Sequence, residues 1–437
     1  MTLNLEFLEF LSRSSVPKRG ERLGLCRIGL DDTDHVEFGC TTSSFDHLLT
    51  EISRSIDCKV IERRLVRLWP FAQRRTRGNG ALGAIIEILD TDSEKLERIC
   101  TEWFSNLLEQ VSNHPPSVFK ASPCLVISFV QNPDYWYWDA VRRHVDSEQL
   151  LSDAIQRGVT VLLPEYTFGV VGACAAISWE NTDNSSWELI SWREESRIGT
   201  KRLISPESVL ELEKIHPQTF LNRDPTKGKG MIAPRTPCPV LYGIRGSTYT
   251  VVERAHHWLQ SREDVERAHS FAIHRTNQLS DDHIESPASG TVTSFPKETR
   301  GGHAHISVFS SGKAVKLVAF SEGGPVNRLL RSLIPGDIIA WSGLVSPDGS
   351  IHLEKIKLDF ATARIVGRPV CCSRTMRSSG RGQGIRCLSC GRIEGRFWQC
   401  IDFETAMGYE VGEWIEPTPS NRRHLSRPLS QGLPGTN

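Results

Sequence analysis

The spacing of apolar residues in the first third of the chain predicts strands that alternate with amphipathic helices. The first strong strand is predicted at 26–30, and the almost continuously apolar run at 82–89 and the run at 124–130 are typical of buried strands. Apolar residues at helical spacing predict helices over 44–56 and 93–111. Alternation of such elements indicates an α/β or α+β body.

A different pattern begins near residue 289. Five short strand-like runs follow one another, at 290–294, 305–309, 314–319, 338–344 and 352–358. One helical segment, 326–334, separates the third run from the fourth. Five strands with a helix in that place predict an OB barrel, with a small β-sandwich as the alternative. We expect Phe309 to pack in its core, whereas Phe295 could either pack or stack on a ligand.

Composition adds limits to this picture. The 437 residues suggest about three domains, and 39% apolar and 24% charged residues are typical of folded domains with cores. Lys+Arg and Asp+Glu are both 52, so only a local cluster of charge could favour nucleic acid. Glu6 and Glu9 interrupt the N-terminal apolar stretch, and no run reaches the roughly 18 residues of a membrane span. We therefore expect a cytoplasmic protein without a membrane partner.

An acidic loop follows the first predicted strand. Its three carboxylates are Asp31, Asp32 and Asp34. Neighbouring carboxylates repel one another unless a cation offsets their charge. Mg²⁺, held by Asp31 and Asp32 beside a substrate phosphate, is the natural choice. Gly39 allows the backbone to approach a phosphate, and the hydroxyls of Thr41 and Thr42 could reach it, near a possible helix N-terminus. The alternative is an ordinary capped turn.

A basic glycine-containing loop precedes the strand at 82–89. It comprises Arg75, Thr76, Arg77, Gly78, Asn79 and Gly80, and the segment 59–80 holds seven basic residues and one acidic residue. Backbone N–H groups near the glycines could bind an anion, and Arg77 could grip a phosphate through two parallel hydrogen bonds. The alternative is a hairpin turn, for which Asn-Gly is a strong signal.

Four of the twelve cysteines lie within twenty residues near the C-terminus, at Cys371, Cys372, Cys387 and Cys390. The C-x₂-C spacing of the last two is typical of a zinc knuckle. The first pair is irregular, because neighbouring thiolates fit a tetrahedral site poorly. Cys371 could serve as a zinc ligand beside Cys372, another residue such as Cys400 could complete the site, or zinc binding could be lost. Segment 366–400 also carries seven arginines and one acidic residue, which suits a phosphate backbone or a merely solvated surface.

The central region is less periodic. The small-residue run at 167–178 predicts either a tightly packed core helix or a nucleotide contact. Further on, Tyr242 and Arg245 are candidates for base stacking or phosphate binding, and the alternative for Tyr242 is packing in the core.

Six ordered motifs identify a family. IGLDDTD with GCTT, then TRGNG, PQTF, TPCPVLYGIRG, SSGRGQG and RRHLS span about residues 26–429. Together they resemble archaeal tRNA 2-agmatinylcytidine synthetases, which modify the wobble cytidine of the isoleucine tRNA with a CAU anticodon.

The resemblance implies an α+β multidomain protein. Expected are an N-terminal extension over 1–23, kinase-like and ferredoxin-like catalytic domains over 24–270, an OB-fold over 284–362, a degenerate zinc ribbon over 366–400 and a basic tail over 401–437. We expect the basic stretch of that tail at 421–427 to face tRNA.

The resemblance also implies a chemistry. ATP and Mg²⁺ would be required, with zinc in the ribbon, and ATP would end as AMP. The C2 carbonyl oxygen of cytidine would be phosphorylated, and agmatine would displace the phosphate. Thr41 matches the family's self-phosphorylated threonine, the acidic loop its metal site, and residues 75–80 its phosphate loop. Candidate contacts to the substrates are Gln218, Tyr242, Arg245, Arg300 and Arg381. The rival interpretations are a tRNA-binding protein without catalysis and a kinase-like enzyme acting on a small molecule.

Overall fold

The computed structural model describes residues 22–34, 39–73, 78–113, 121–164, 168–180, 185–285, 287–396, 398–403, 408 and 410–435. The predicted extension at 1–23 lies almost wholly outside these residues. The chain forms two compact units, one of Met1–Glu285 with Arg423–Arg427 and the other of Ser286–Arg422 with Pro428–Asn437. Within the described ranges, no helix has the length and apolar character needed to cross a membrane.

A nine-stranded mixed sheet forms the centre of the first unit. Its strands are β1 (Leu23–Asp31), β2 (Cys58–Arg67), β3 (Gly80–Leu89), β4 (Cys124–Ser128), β5 (Thr160–Leu162), β6 (Ser186–Trp192), β7 (Thr219–Phe220), β10 (Val240–Gly246) and β11 (Ser270–Thr276). Their order is β5-β4-β1-β3-β2-β11-β6-β10-β7. The parallel pairing of β11 with β2 joins two groups of strands of the first unit into one sheet. A separate hairpin, β8 (Arg223–Asp224) with β9 (Lys229–Gly230), follows β7.

Helices cover both faces of this sheet. They are α1 (Thr41–Ser55), α2 (Ser93–Ser112), α3 (Tyr135–Arg142), α4 (Ser147–Gln156), α5 (Val170–Ser178), α6 (Pro206–Ile215) and α7 (Tyr249–Gln260). The predicted strands at 26–30, 82–89 and 124–130 and the helices at 44–56 and 93–111 are confirmed, with end points that differ by a few residues. Apolar residues of α1 and α2 pack on one face against Ile28 and Ile86 of the sheet.

Helix α5 lies directly against the opposite face. Gly29 of β1 leaves no room for a Cβ beside the carbonyl oxygen of Ala173, so only glycine allows this approach. Every residue of α5 except Val171 is buried. Residues 170–178 of the small-residue run therefore form a packed core helix, the first of the two predicted alternatives.

The second unit contains a closed five-stranded barrel. Its strands are β12 (Ala288–Val292), β14 (Ala304–Ser310), β15 (Lys313–Ala319), β16 (Ile338–Val345) and β17 (Ile351–Phe360). The ring closes because β12 pairs with both β14 and β16, which a sandwich would not require. Two further short strands pair with the barrel strands: β13 (Lys297–Glu298) pairs with β14, and β25 (Trp414–Ile415) pairs with β17.

Helix α8 (Pro325–Ser332) follows the third barrel strand, and its apolar side packs in the barrel core. The predicted order of five strands and one helix is confirmed. Our expectation for Phe309 was wrong, because its ring is 53% exposed on the outer surface of the barrel. Phe295 is also exposed.

Short strands form the segment after the barrel. They are β18 (Arg364–Gly367), β19 (Val370–Cys371), β20 (Arg374–Thr375), β21 (Arg377–Ser378), β22 (Ile385–Arg386), β23 (Ile393–Glu394) and β24 (Gln399–Ile401). They pair as β18 with β24, β19 with β20, and β21-β22-β23. The only sizeable apolar cluster described in this segment centres on Met376 and Ile385, which is too small to hold it together by hydrophobic burial alone.

Candidate active site

The acidic loop begins where β1 ends. The carboxylate of Asp31 lies against Gly172 of α5, where no larger residue would fit. Asp32 adopts a left-handed backbone with φ of 56°, and its carboxylate accepts a hydrogen bond from the amide of Ser122 at 3.0 Å. Burial, and then the negative charge of Asp32, raise the pKa of Asp31 well above its ordinary value. A bound cation would offset this unfavourable concentration of negative charge.

Asp34 connects the acidic loop to the first turn of α1. Its Oδ1 accepts hydrogen bonds from the Thr41 amide and, at 2.8 Å, from the Thr41 hydroxyl. The hydroxyl of Thr33 donates to the same Thr41 oxygen at 3.1 Å, and Thr41 is buried. Gly39 has a left-handed φ of 68° just before the helix. A carboxylate that accepts a hydrogen bond from a hydroxyl in this way is arranged to act as a base toward Thr41.

The described end of the glycine loop lies at the same edge of the sheet as the acidic loop. Leu30 of β1 pairs with Leu82 of β3, so β1 ends where Gly80 begins β3. Asn79 has a left-handed φ of 44°, and its side-chain amide donates to the carbonyl of Trp69 at 2.9 Å. Arg75, Thr76 and Arg77 lie outside the described residues.

Arg67 holds the end of the glycine loop. Its Nη1 donates to the carbonyl of Gly78 at 2.9 Å, and its Nη2 forms an ion pair with Glu188 of β6 at 2.9 Å. Arg245 pairs with the other oxygen of Glu188 at 3.0 Å. Burial alone would raise the pKa of Glu188, but Arg245 and Arg67 outweigh it and lower that pKa to about 2. Arg245, predicted to contact substrate, is thus engaged in this buried triad.

The other predicted substrate contacts are dispersed. Tyr242 is fully buried, and its hydroxyl bonds to His256 at 2.9 Å and to Gln260 at 2.8 Å, which favours the packed alternative. Gln218 is exposed in the turn before β7. Arg300 and Arg381 are both exposed, in the second unit.

Sequence reasoning missed Trp192 and Glu188, which lie on one strand. The indole N–H of Trp192 donates to the hydroxyl of Thr42 at 3.2 Å, at the start of α1. The detectable signal was the charged residue inside SWELISW, a run otherwise typical of a buried strand. A buried carboxylate of that kind needs a partner, and here it has two arginines.

Sequence reasoning also missed the return of the C-terminal segment to the first unit. The amides of Leu279 and Asp281 donate to the carbonyls of His424 and Leu425 at 2.9 and 2.8 Å. Leu425 is almost completely buried, and the guanidinium of Arg423 lies 5.0 Å from the ring centroid of Phe71. Residues 423–427, part of the stretch that we expected to face tRNA, therefore belong to the first unit, with Leu425 as their buried anchor.

The four clustered cysteines meet in the second unit. The Sγ atoms of Cys371, Cys372, Cys387 and Cys390 all lie within 4.8 Å of one another. Sulfurs bound to one tetrahedral zinc at about 2.3 Å would stand roughly 3.8 Å apart. The separations from Cys371 are 3.5 Å to Cys390 and 4.0 Å to Cys372, which fit this requirement. Cys400 is outside the cluster.

The adjacent cysteines reach one site because of an unusual turn. Cys372 and Ser373 have left-handed φ angles of 50° and 57°, and Cys371 pairs with Arg374 across them. This is the geometry of a two-residue type I′ hairpin turn. Our expectation that neighbouring thiols would fit poorly was wrong. On the other knuckle, the backbone N–H groups of Cys390 and Ser389 lower the pKa of Cys387 to about 6, which favours the thiolate.

The chain is similar in sequence to proteins of one family. A family model described as the TiaS TCKD domain matches residues 27–163, and one described as the TiaS FLD domain matches 167–283. The tRNA 2-agmatinylcytidine synthetase TiaS of Cenarchaeum symbiosum is 31% identical over 434 residues, which cover 92% of each chain. The chain belongs to the family of isoleucine-tRNA 2-agmatinylcytidine synthetases.

Other members of this synthetase family are also similar to the chain in sequence and in structure. The Archaeoglobus fulgidus synthetase is 30% identical and matches over 92% of this chain and 96% of its own. A crystal structure of TiaS in complex with its isoleucine tRNA and ATP has a TM-score of 0.82 and 28% identity, covering 95% of this chain and 99% of that one. A TiaS complex with the same tRNA, AMPCPP and agmatine has a TM-score of 0.76 and 27% identity, covering 93% and 97%. The synthetase fold therefore extends over both units.

Proposed function

We propose that the chain ligates agmatine to C2 of the wobble cytidine in the CAU-anticodon isoleucine tRNA, at the expense of ATP. The observation that carries the proposal is the meeting of Asp31, Asp32, Asp34 and Thr41 at the edge where Gly80 begins β3. This arrangement offers carboxylates for a metal, a hydroxyl beside a base, and a glycine loop for phosphate. The solved relatives with isoleucine tRNA, ATP and agmatine support the same substrates.

Asp31 and Asp32 would hold Mg²⁺, because two consecutive carboxylates at the end of β1, one of them packed against Gly172, concentrate negative charge that a hard cation would offset. When bound, the ion would neutralise charge on the transferring phosphoryl group. The nucleotide would be contacted by Gly39, Thr42, Gly78, Asn79 and Gly80. We propose the same role for Arg75, Thr76 and Arg77 of the glycine loop, which lie outside the described residues.

Thr41 would accept a phosphoryl group from ATP: its Oγ1 would bond to phosphorus as the bond from that phosphorus to the bridging oxygen of the nucleotide breaks, and Asp34 would take the hydroxyl proton. The 2.8 Å hydrogen bond from the Thr41 hydroxyl to Asp34 already points the proton at the carboxylate. A general base at that distance contributes about 10²–10⁴-fold to a proton transfer. The helix N-terminus at Thr41 adds partial positive charge near the developing phosphate.

The second half of the reaction follows from leaving-group chemistry. The C2 oxygen of cytosine leaves poorly as it stands, and phosphorylation makes it a good leaving group. The amine of agmatine then bonds to C2 while phosphate departs with the C–O bonding electrons. The amine proton must be lost for the product to be neutral at that nitrogen.

The remaining domains would hold the tRNA. We assign kinase-like and ferredoxin-like domains to 24–270, an OB-fold to the barrel at 284–362, and a zinc ribbon to 366–400. The four clustered thiols have the number, chemistry and spacing that zinc requires. Arg300 of the barrel and Arg381 of the ribbon are exposed and suit phosphate contacts, as does Gln218 for a substrate contact. Because the proposed substrate is a tRNA, we propose a cytoplasmic location for the reaction.

The proposal is tested by incubating the protein with the CAU-anticodon isoleucine tRNA, ATP, Mg²⁺ and labelled agmatine, followed by nucleoside mass analysis. The expected product is agmatine on the wobble cytidine. Asp32→Asn should abolish the product and retain tRNA affinity, whereas Asp57→Asn, an exposed aspartate between α1 and β2, should stay active. A fully active Asp32→Asn protein would overturn the assignment of the acidic loop.

A further inference from the structure

Strand β6 presents three side chains in a row to the face of the sheet that α1 covers. They are Glu188, Ile190 and Trp192, since alternate residues of a strand share a face. Ile190 and Trp192 lie in the same buried cluster as Phe45 and Leu48 of α1. The strand belongs to the segment matched by the FLD model, whereas α1 belongs to the segment matched by the TCKD model.

One end of this row holds the start of α1. The indole N–H of Trp192 donates to the Thr42 hydroxyl at 3.2 Å, and Thr42 directly follows Thr41. Trp192 is 3% exposed, so its ring has little freedom to move without displacing the helix. The contact therefore fixes the position of the peptide that carries the Thr41 hydroxyl.

The other end of the row holds Gly78, at the described end of the glycine loop. The carboxylate of Glu188 accepts a hydrogen bond from Nη2 of Arg67 at 2.9 Å. Nη1 of the same guanidinium donates to the Gly78 carbonyl at 2.9 Å. A Cβ on Gly78 would collide with that guanidinium, so the arginine lies directly on the loop backbone. Arg245 pairs with the second oxygen of Glu188 at 3.0 Å and fixes its orientation.

We propose that β6 is a positioning strand that sets the distance between the two phosphate-handling loops, with Trp192 acting on Thr41 and Glu188 acting on the glycine loop. This inference deepens the proposed function and rests on it. The two loops follow or precede different strands, β1 and β3. Trp192 contacts the start of α1 after the acidic loop, and Glu188 contacts Gly78 of the glycine loop through Arg67. A displacement of about 1 Å in such a site can cost on the order of 10²-fold in rate.

The two contacts should affect different kinetic constants. Trp192→Phe keeps the ring but removes the N–H donor, so it should lower the rate of Thr41 self-phosphorylation about tenfold and leave the KM for ATP within about twofold. Glu188→Gln keeps the shape but removes the charge, so it should mainly raise the KM for ATP and weaken binding of a non-hydrolysable ATP analogue, by about tenfold.

Ile190→Val provides the matched control, because Ile190 lies between the two residues on the same face and makes no polar contact through its side chain. It should perturb packing while the rate and the KM stay within about twofold of the wild type. The double variant Trp192→Phe with Thr42→Val should be no slower than the slower single variant, because both substitutions remove one hydrogen bond. Thermal unfolding of each variant reports any general loss of structure.

The proposal is overturned if Trp192→Phe and Glu188→Gln change these constants no more than Ile190→Val does. It is also overturned if the Trp192 and Thr42 effects simply add. A wild-type protein that binds the analogue and phosphorylates Thr41 but ligates no agmatine would overturn the proposed ligase and leave the β6 comparison intact. A wild-type protein that does not bind the analogue would overturn both.

Discussion

The carboxylate of Asp31 and the backbone of Gly172 lie in direct contact, so that a Cβ on Gly172 would stand 2.6 Å from Cγ of Asp31. A helix packed on the sheet thereby fixes one side of the acidic loop. Cδ1 of Leu68 stands 2.9 Å from the same Cβ position, so a methyl group there would press on both Asp31 and Leu68.

We predict that Gly172→Ala displaces Asp31 and lowers the ATP-dependent rate at least tenfold. Alanine favours a helix over glycine by up to about 1 kcal/mol, so the loss could not be attributed to a weaker helix. Gly230→Ala is the control, since nothing lies within 4 Å of its Cβ position. The measurement is the steady-state rate at saturating ATP. Equal activity of Gly172→Ala and the wild type would contradict this prediction.

Removal of the Asp31 charge should stabilise the metal-free protein at neutral pH. The folded protein raises the pKa of this carboxyl, so without metal its contribution to stability falls as the pH rises above the ordinary carboxyl pKa. Asp31→Asn should therefore melt higher than the wild type at pH 7, and the difference should shrink toward pH 4. Mg²⁺ should raise the melting temperature of the wild type only. A variant that melts lower at both pH values would contradict this account.

Asp34→Asn separates the role of a base from the role of a metal ligand. The amide keeps an oxygen acceptor for the Thr41 amide but cannot take a proton. We predict that Thr41 self-phosphorylation slows about 10²-fold, while the affinity for an ATP analogue with Mg²⁺ is retained. Equal loss of affinity and rate would instead indicate that Asp34 binds the metal.

The thiol cluster should bind about one equivalent of zinc. Cys372→Ser and Cys390→Ser should each reduce bound zinc strongly, because both sulfurs lie in the cluster. Cys400→Ser is the matched control from the same segment and should retain the metal. Metal analysis of the purified proteins checks this, and equal zinc in Cys372→Ser and wild type would show that the adjacent pair is not used.

Leu425→Ala should loosen the C-terminal contact with the first unit. Truncation of a buried leucine costs about 2–5 kcal/mol, so amide exchange at Leu279 and Asp281 should accelerate by on the order of 10²-fold. Leu433→Ala removes a leucine that is 51% exposed and should leave both amides unchanged. Unchanged exchange in Leu425→Ala would show that the segment contributes no stability there.

The sequence predicted those elements whose apolar pattern is regular. Strands β1 and β3 and the barrel strands follow from uninterrupted or alternating runs, and the acidic loop follows from its position after β1. Strand β6 escaped prediction because Trp and Glu obscure its pattern. Its role depends on the pairing of β11 with β2, which brings together residues more than 100 positions apart.

Local backbone geometry explains the other failures. The Cys372–Ser373 turn lacks the Asn-Gly signature of a type I′ turn, so its left-handed conformation could not be read from composition. Tyr242 lies in the less periodic central region of the sequence, yet it belongs to the interior strand β10 and its hydroxyl is bonded in the core. The docking of residues 423–427 depends on tertiary contacts that leave no local pattern in the sequence.

The central claim is that ATP-dependent chemistry is directed at one base of one tRNA. Its most direct test compares the CAU-anticodon isoleucine tRNA with the same tRNA carrying uridine at the wobble position, each incubated with the full-length protein, ATP, Mg²⁺ and labelled agmatine. We predict label on the cytidine tRNA alone, and only when ATP is present. Equal labelling of both tRNAs, or none of either, would contradict the account.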